Sequence, residues 1–425
     1  MRNAETYRKV AKARPKAFFL DMDVSPGNPT NRLSELDKRE EALANARDAV
    51  NVRRKLAQAR PDAFLSYLAM SLNNLAAMLS ELGMREEALA NARESVDIYR
   101  KLAEDCPDRF LPDIAMSINN LAAMLSELGL LEEALANARE SVEIYRHLAQ
   151  DRPDAFLPSL AMSLNNLANR LGDLGLPEEA LTNAREAVSV RRKLAQARPD
   201  TFLPYLVMSL NNLVNRLSDL GMREEALENA REYVDICRKL AKSNPDAYLS
   251  YLAMSLNNLA SRLSESDMKE EALENAREAV SIRRKLAEAR PEAFLQYLAM
   301  SLDNLATMLS ELEMWEEALA NARESVDICK KLAQARPDAF SSNLAKSLTI
   351  QALCLNSSYR WLEAVDSIAE ALRAISEPLQ KIPAAFSGLA VTIVRHYVDI
   401  AKQAGVKLDM GLLLPVLSVI QANQE

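Results

Sequence analysis

Glycine, histidine, cysteine and aromatic residues are all scarce in this chain of 425 residues. Nine glycines and 5% aromatics leave little for a β-sheet, whereas abundant Ala, Leu, Glu and Arg favour helix. The two histidines, His147 and His396, stand apart from any obvious partner, which argues against a zinc site or a His-based triad. No glycine precedes a lysine, which excludes a P-loop. Cys106, Cys237, Cys329 and Cys354 lie far apart with no metal-type pairing; read as reduced side chains, they point to a reducing compartment. Positive charge is also short: 52 basic against 60 acidic side chains give −8, where a nucleic-acid binder carries a basic surplus. The apolar stretch at residues 18–20 is too short for a signal peptide. The longest apolar run, 411–420, is half a membrane span and contains Pro415. These absences predict a soluble cytoplasmic protein with no cofactor, metal, nucleic acid or membrane partner. They leave its oligomeric state open.

What the chain has in abundance is repetition. Pro15, Pro61, Pro107, Pro153, Pro199, Pro245, Pro291 and Pro337 are spaced by 46 residues. The run Glu-Glu-Ala-Leu-Ala-Asn-Ala-Arg-Glu-Ser-Val begins at Glu86, Glu132 and Glu316. Near-identity at a fixed period marks tandem copies of one supersecondary unit. Within a unit, Leu65, Leu68, Leu72, Leu75, Leu79 and Leu82 form one helical stripe. Gly83 and Met84 break it, and Leu89, Ala92, Val96, Tyr99 and Ala103 carry the same rhythm along a second helix. The next proline, lacking an N–H, stops that helix. One such pair cannot bury both stripes, so the pairs must stack.

The residues Leu72-Asn73-Asn74-Leu75-Ala76, then Leu79, Leu82-Gly83 and Glu86-Glu87-Ala88-Leu89, resemble a tetratricopeptide repeat of the kinesin-light-chain type. The resemblance spans roughly Pro15 to Ile375. It implies an all-α fold, a right-handed α-α superhelix, with Leu75, Ala76 and Leu79 packing in the first helix and Ala88 where helices cross. Ala92 replaces the family's aromatic, and the delayed closing proline lengthens the second helix. The expected organisation is a degenerate N-terminal repeat region at 1–60, six full repeats at 61–336, a degenerate repeat at 337–377 and capping helices within 378–425. Residues 1–14 read as the tail of a second helix, and the Pro26-Gly27-Asn28-Pro29 segment is expected to break the helix that follows.

Three asparagine ladders follow the period. The first is Asn73, Asn119, Asn165, Asn211 and Asn257, continued by Asp303. It is expected to share a stripe with Ser66, Met70, Ala77 and Ser80 beside the leucine seam, and the resemblance implies that such positions line a peptide groove. The second is Asn74, Asn120, Asn166, Asn212, Asn258 and Asn304. It resembles the position of a peptide-contacting asparagine in co-chaperone clamp domains, although their basic clamp partners are missing. The third ladder, from Asn45 and Asn91 to Asn321 on the second helices, is expected to hydrogen-bond between repeats. Asn169, Asn215 and Ser261, where other repeats have Ala77, Ala123 and Thr307, form a variable position suited to selectivity. A methionine row (Met70 to Met300) suits adaptable contacts, and an acidic row (Glu81, Glu127, Asp173, Asp219, Glu265, Glu311) favours basic partners. Basic runs beginning at Arg53, Arg191 and Arg283 are expected to be solvated, and paired acids such as Glu86-Glu87 to sit in a helix's first turn.

Ladders suit an extended partner, whereas catalysis needs a singular constellation. The expected function is a protein-interaction scaffold that binds a protein or extended peptide, with basic partners favoured by the acidic row, without catalytic residues. The alternative is a sensor array of a signalling system whose NTPase or protease module lies elsewhere.

Overall fold

The computed structural model describes residues 39–422, so the expected broken helix near Pro26 and the helix tail at 1–14 lie outside the described residues. Described residues form α1 (Arg39–Ala59), α2 (Pro61–Glu81), α3 (Arg85–Asp105), α4 (Pro107–Glu127), α5 (Leu131–Asp151), α6 (Pro153–Asp173), α7 (Pro177–Ala197) and α8 (Pro199–Asp219). They continue as α9 (Arg223–Ser243), α10 (Pro245–Glu265), α11 (Lys269–Ala289), α12 (Pro291–Glu311), α13 (Trp315–Ala335), α14 (Pro337–Ser357), α15 (Trp361–Lys381), α16 (Pro383–Ala404) and α17 (Met410–Ala422). No strand occurs among the described residues. The all-α helix–turn–helix array expected from the period is what the chain forms.

Each repeat uses the same local chemistry. α2, α4, α6, α10, α12 and α14 open on a proline, whose missing N–H would have had no partner in a first turn. α2 closes through Gly83 at φ +75°, whose N–H bonds the Ser80 carbonyl at 2.9 Å while Met84 N–H reaches back to Leu79 at 2.9 Å. This closure needs a left-handed residue, which glycine adopts without steric cost. Gly129, Gly175 and Gly221 repeat it, but the later turns place Asp267, Glu313 and Tyr359 there, each at φ 61°.

The leucine stripe builds the core. Leu72, Leu79 and their counterparts down to Leu302 are fully buried, each worth about 1.5–3 kcal/mol relative to exposure. Ala76 and Ala88 are also fully buried, and their small side chains let α2 and α3 approach closely. By length and composition α2 could cross a membrane; here Leu68, Leu72, Leu75 and Leu79 form its buried side.

The chain divides into two compact units, Met1–Phe202 and Leu203–Glu425, with the division inside α8. In the first, α1 through α7 pack successively, and α2, α4 and α6 touch in turn. In the second, α9 through α16 do the same, and α10, α12, α14 and α16 touch in turn. α15 continues past Pro378 to Lys381, and α16 begins at Pro383. The period thus persists further than Pro378, where the sequence reading loses it. α17 packs on α15 and α16 through Leu413, Val416 and Ile420.

The second helices carry two lines of ion pairs between neighbouring repeats. Arg47 meets Glu87 at 2.6 Å, Arg93 meets Glu133 at 2.8 Å and Arg139 meets Glu179 at 2.7 Å. Two helical turns along, Arg54–Glu94, Arg100–Glu140 and Arg146–Glu186 form the second line. The second unit repeats both lines, as in Arg277–Glu317 and Arg284–Glu324. Each exposed pair contributes at most about 1 kcal/mol. The acids do stand in first turns as expected, and Glu87, Glu133, Glu179, Glu271 and Glu317 also clasp the preceding repeat.

The basic runs are not uniformly solvated. Their first arginines, Arg53, Arg191 and Arg283, are buried at 4, 6 and 4% exposure, while Arg54 and Arg284 join the surface ladder. Arg53 donates to the Tyr67 carbonyl and the Ser71 hydroxyl of the next helix, contacts that sequence separation hides. This interior position holds Tyr99, Tyr145, Cys237 and Cys329 in other repeats, so the cysteines there are buried core residues.

Candidate interaction face on the first helices

The face of the first helices that the core leaves free keeps Met70 and Ala77 of the expected stripe but has Asn74 and Glu81 where Asn73 and Ser80 were expected. Beyond its first turn, α2 is exposed at Asn74, Ala77 and Glu81, with Met70 partly covered. Asn73 faces a neighbouring repeat and is 3% exposed; Asn119 and Asn165 are 3% and 6% exposed. Asn211 and Asn257 are half-buried, and Asp303 is 7% exposed. The expectation that the first ladder projects beside the seam is corrected at Asn73, Asn119 and Asn165, which are buried, because one residue of helix turns a side chain by about 100°. Asn211 and Asn257 are half-buried like Asn212 and Asn258 beside them.

The first two ladders are linked. Asn120 Nδ2 donates to Asn73 Oδ1 at 3.2 Å, Asn166 to Asn119 at 3.0 Å and Asn258 to Asn211 at 2.7 Å. Asn120, Asn166 and Asn258 of the second ladder thereby tie themselves to the preceding repeat. Asn120, Asn166, Asn212, Asn258 and Asn304 are half-buried and Asn74 is exposed. Asn169 and Ser261 are half-buried and Asn215 is exposed, with Ser261 Oγ donating to the Asn257 carbonyl at 3.1 Å.

The third ladder differs from expectation. Asn91, Asn137, Asn183, Asn229, Asn275 and Asn321 each donate Nδ2 to the carbonyl four residues earlier in the same helix, at 2.7–2.8 Å. These bonds do not cross between repeats. The amides instead occupy carbonyl lone pairs in the first turn of their own helix.

Two rows escaped the sequence reading. Tyr205, Tyr251 and Tyr297 are 50, 38 and 40% exposed, one turn before the methionine row, in which Met208 and Met300 are 53 and 54% exposed. The other is Arg170, Arg216 and Arg262, which replace Met78, Met124 and Met308. They pair with Asp173 at 3.6 Å, Asp219 at 3.2 Å and Glu265 at 2.9 Å. The acids Glu81, Glu127 and Glu311 lack that arginine; Ser80 bonds Glu127 at 2.7 Å, and Ser264 bonds Glu311 at 2.8 Å. The 46-residue alignment carries both signals, since each residue is displaced by a whole number of repeats.

Asp303 is the one carboxylate in the first ladder. Burial pushes its carboxyl up to about 6, against the opposing hydrogen bonds of Ser347 and Ser325. Ser347 Oγ donates to Asp303 Oδ2 at 2.7 Å. Among the described residues, no group of three His, Cys, Asp or Glu side chains is placed to hold a metal ion. Two surface depressions lie between second helices; Arg93, Arg100, Glu133 and Glu140 line one, and Arg47, Arg54, Glu87 and Glu94 the other. Their charges already neutralise each other as ladder pairs.

Comparisons with known proteins agree with this architecture. No curated protein matches the sequence. Among solved structures, BtubC (BKLC) from P. vanneervenii is 20% identical, covering 57% of this chain and 90% of its own, with a TM-score of 0.46. A putative kinesin light chain from Podospora anserina with nearly identical TPR-like repeats is 23% identical, covering 53% of this chain and 98% of its own, at 0.43. A signal transduction ATPase with a tetratricopeptide repeat sensor from Pyrococcus horikoshii is 14% identical, covering 91% of this chain and 52% of its own, at 0.48. Tetratricopeptide repeat models match residues 67–147, and then 160–199, 206–246, 252–290 and 298–337. Those matches span more than half of the chain and follow its 46-residue period, and the chain belongs to the tetratricopeptide repeat family.

Proposed function

We propose that this chain is a protein-interaction array that receives a protein or extended peptide along the exposed stripe of its first helices, without chemistry of its own. One observation carries the reading. The side chains at the free stripe of these helices recur with the 46-residue period and include an amide and a thioether in each full repeat, as at Asn74 and Met208, joined by a phenol at Tyr205, Tyr251 and Tyr297. An amide both donates and accepts, as a peptide backbone requires, while Met and Tyr offer adaptable apolar area. In this reading the second ladder and the variable position (Asn169, Asn215, Ser261) touch the partner. Asn73, Asn119 and Asn211 hold that ladder in place from the seam, while Asn165 and Asn257 belong to the same row. The acids Glu81, Glu127 and Glu311, without an arginine three residues back, favour partners bearing Lys or Arg.

The test is capture of partners from lysate by the wild-type chain and by the triple variant Asn74→Ala, Asn120→Ala, Asn166→Ala, with binding then measured by calorimetry. The expected result is at least a tenfold loss of affinity in a chain that remains helical. Unchanged affinity in the folded variant would move the contact surface away from this stripe.

A further inference from the structure

The turn from α14 into α15 departs from the turns before it. Tyr359, Trp361 and Leu362 stand there, 77, 41 and 67% exposed. One period back and earlier, the first of these positions holds glycine, Asp267 or Glu313, and the third holds glutamate in all six repeats from Glu86 to Glu316. The second position has a precedent in Trp315, and these two are the tryptophans of the chain. A left-handed backbone does not by itself single out Tyr359, because Asp267 and Glu313 share it. What is peculiar to Tyr359 is an aromatic ring at such a position, with little burial to offset the strain.

The Tyr359 and Trp361 rings meet edge to face, with centroids 6.1 Å apart and planes at 71°. Arg360 between them is held by Glu363, Nε donating to Oε1 at 2.7 Å and Nη2 to Oε2 at 2.5 Å. The backbone is engaged too: Tyr359 N–H bonds the Asn356 carbonyl at 3.1 Å and Arg360 N–H the Leu355 carbonyl at 2.9 Å. The turn therefore offers aromatic surface, one leucine and two side-chain donors, the phenol O–H and the indole N–H.

Size and charge narrow the occupant. At those exposures the three side chains present roughly 400 Å², about half of what each partner buries in a standard stable complex, which is too little for a dimer of this chain. Arg360 is already neutralised by Glu363 and has no charge to spare for an anionic membrane. The engaged N–H groups leave no edge to which a strand could be added. A patch this small cannot offset the ordering of a flexible peptide, so its ligand must be extended beforehand. A polyproline II segment meets that condition. Its prolyl residues carry carbonyl acceptors but no N–H, the complement of two donor-bearing rings.

We propose that Tyr359, Trp361 and Leu362 form a second docking site, one for a proline-rich polyproline II segment of a partner protein. Prolyl rings stack on the aromatic faces, and Tyr359 Oη and Trp361 Nε1 donate to prolyl carbonyls. The site does not depend on the stripe of the first helices.

Intrinsic fluorescence tests this, because Trp315→Phe leaves Trp361 as the sole indole. End-blocked decaproline should shift its emission saturably, with half-saturation at roughly 0.1–1 mM, whereas a Gly-Ser decamer should not. In the same background, Tyr359→Gly and Leu362→Glu restore residues of earlier repeats, and each should weaken binding roughly fivefold or more. Tyr359→Gly should leave Tm unchanged or raise it by about 1–2 °C, since glycine takes the left-handed backbone without strain. Tyr205→Ala, on the stripe, should bind decaproline as before. No shift with decaproline, an equal shift with the Gly-Ser decamer, unchanged affinity in Tyr359→Gly or lost binding in Tyr205→Ala would each overturn the proposal. So would a Tm lowered by more than about 3 °C in Tyr359→Gly, which would make the ring part of the fold. A chain that sediments as a dimer until Tyr359 is replaced would give the patch to a second copy and overturn it as well.

Discussion

Asn119 and Asn120 are adjacent in sequence yet inhabit different environments. The first is 3% exposed in the seam between repeats, and the second is half-buried at the edge of the free face, donating to the seam amide of the preceding repeat. A single residue of helix decides which amide is buried in the seam and which borders the free face. Near-identical side chains repeated every 46 residues therefore cannot be assigned a role from their type. Their role follows from which neighbour each faces.

The largest test of that contrast uses Asp303, where the seam carries a carboxylate. Burial raises its folded value from 3.8 to about 6, so folding favours the protonated form. The resulting destabilisation is absent below about pH 4, grows between about pH 4 and 6, and is complete above that, reaching roughly 2–3 kcal/mol. Asp303→Asn should raise stability near pH 7 by that order, and its urea unfolding curve should converge with wild type near pH 4. A variant no more stable than wild type at pH 7 would mean that Asp303 is not penalised in the fold.

Next in size is the seam amide itself. Asn119→Ala leaves Asn166 Nδ2 without its acceptor and should cost about 1–3 kcal/mol by urea titration. The smallest effect belongs to the free-face amide: Asn74→Ala should change stability by less than about 0.5 kcal/mol. Equal losses at Asn119 and Asn74 would erase the distinction between seam and face.

Much of the fold was legible because the period is strict. The prolines at Pro61 to Pro337 mark first-helix starts, the leucine stripe from Leu68 to Leu79 is the core, and Gly83 is the left-handed turn. What stayed hidden depends on contacts between repeats. The wheel that grouped Asn73 with Met70 had no means of placing the next helix, whose Asn120 claims the Asn73 amide. Arg53 reads as a surface charge until its bond to Ser71 in the following helix is known. Asn91 offered a bond across repeats as readily as the bond it makes to the Glu87 carbonyl within its own helix. The turns at Asp267, Glu313 and Tyr359 keep the left-handed conformation without glycine, because the flanking helices impose it.

The spacing of the cross-repeat contacts has a consequence for heredity. Arginine meets glutamate 40 positions on, and asparagine meets asparagine 47 positions back. Neither reaches beyond an adjacent unit. Excision of residues 107–152 would join Cys106 to Pro153 and bring Arg93 opposite Glu179, chemically the same pair as Arg93 and Glu133. Slippage during replication between near-identical gene segments would thus add or remove whole units while leaving every junction chemically familiar, so the number of repeats is a quantity that descent can change without relearning how to fold.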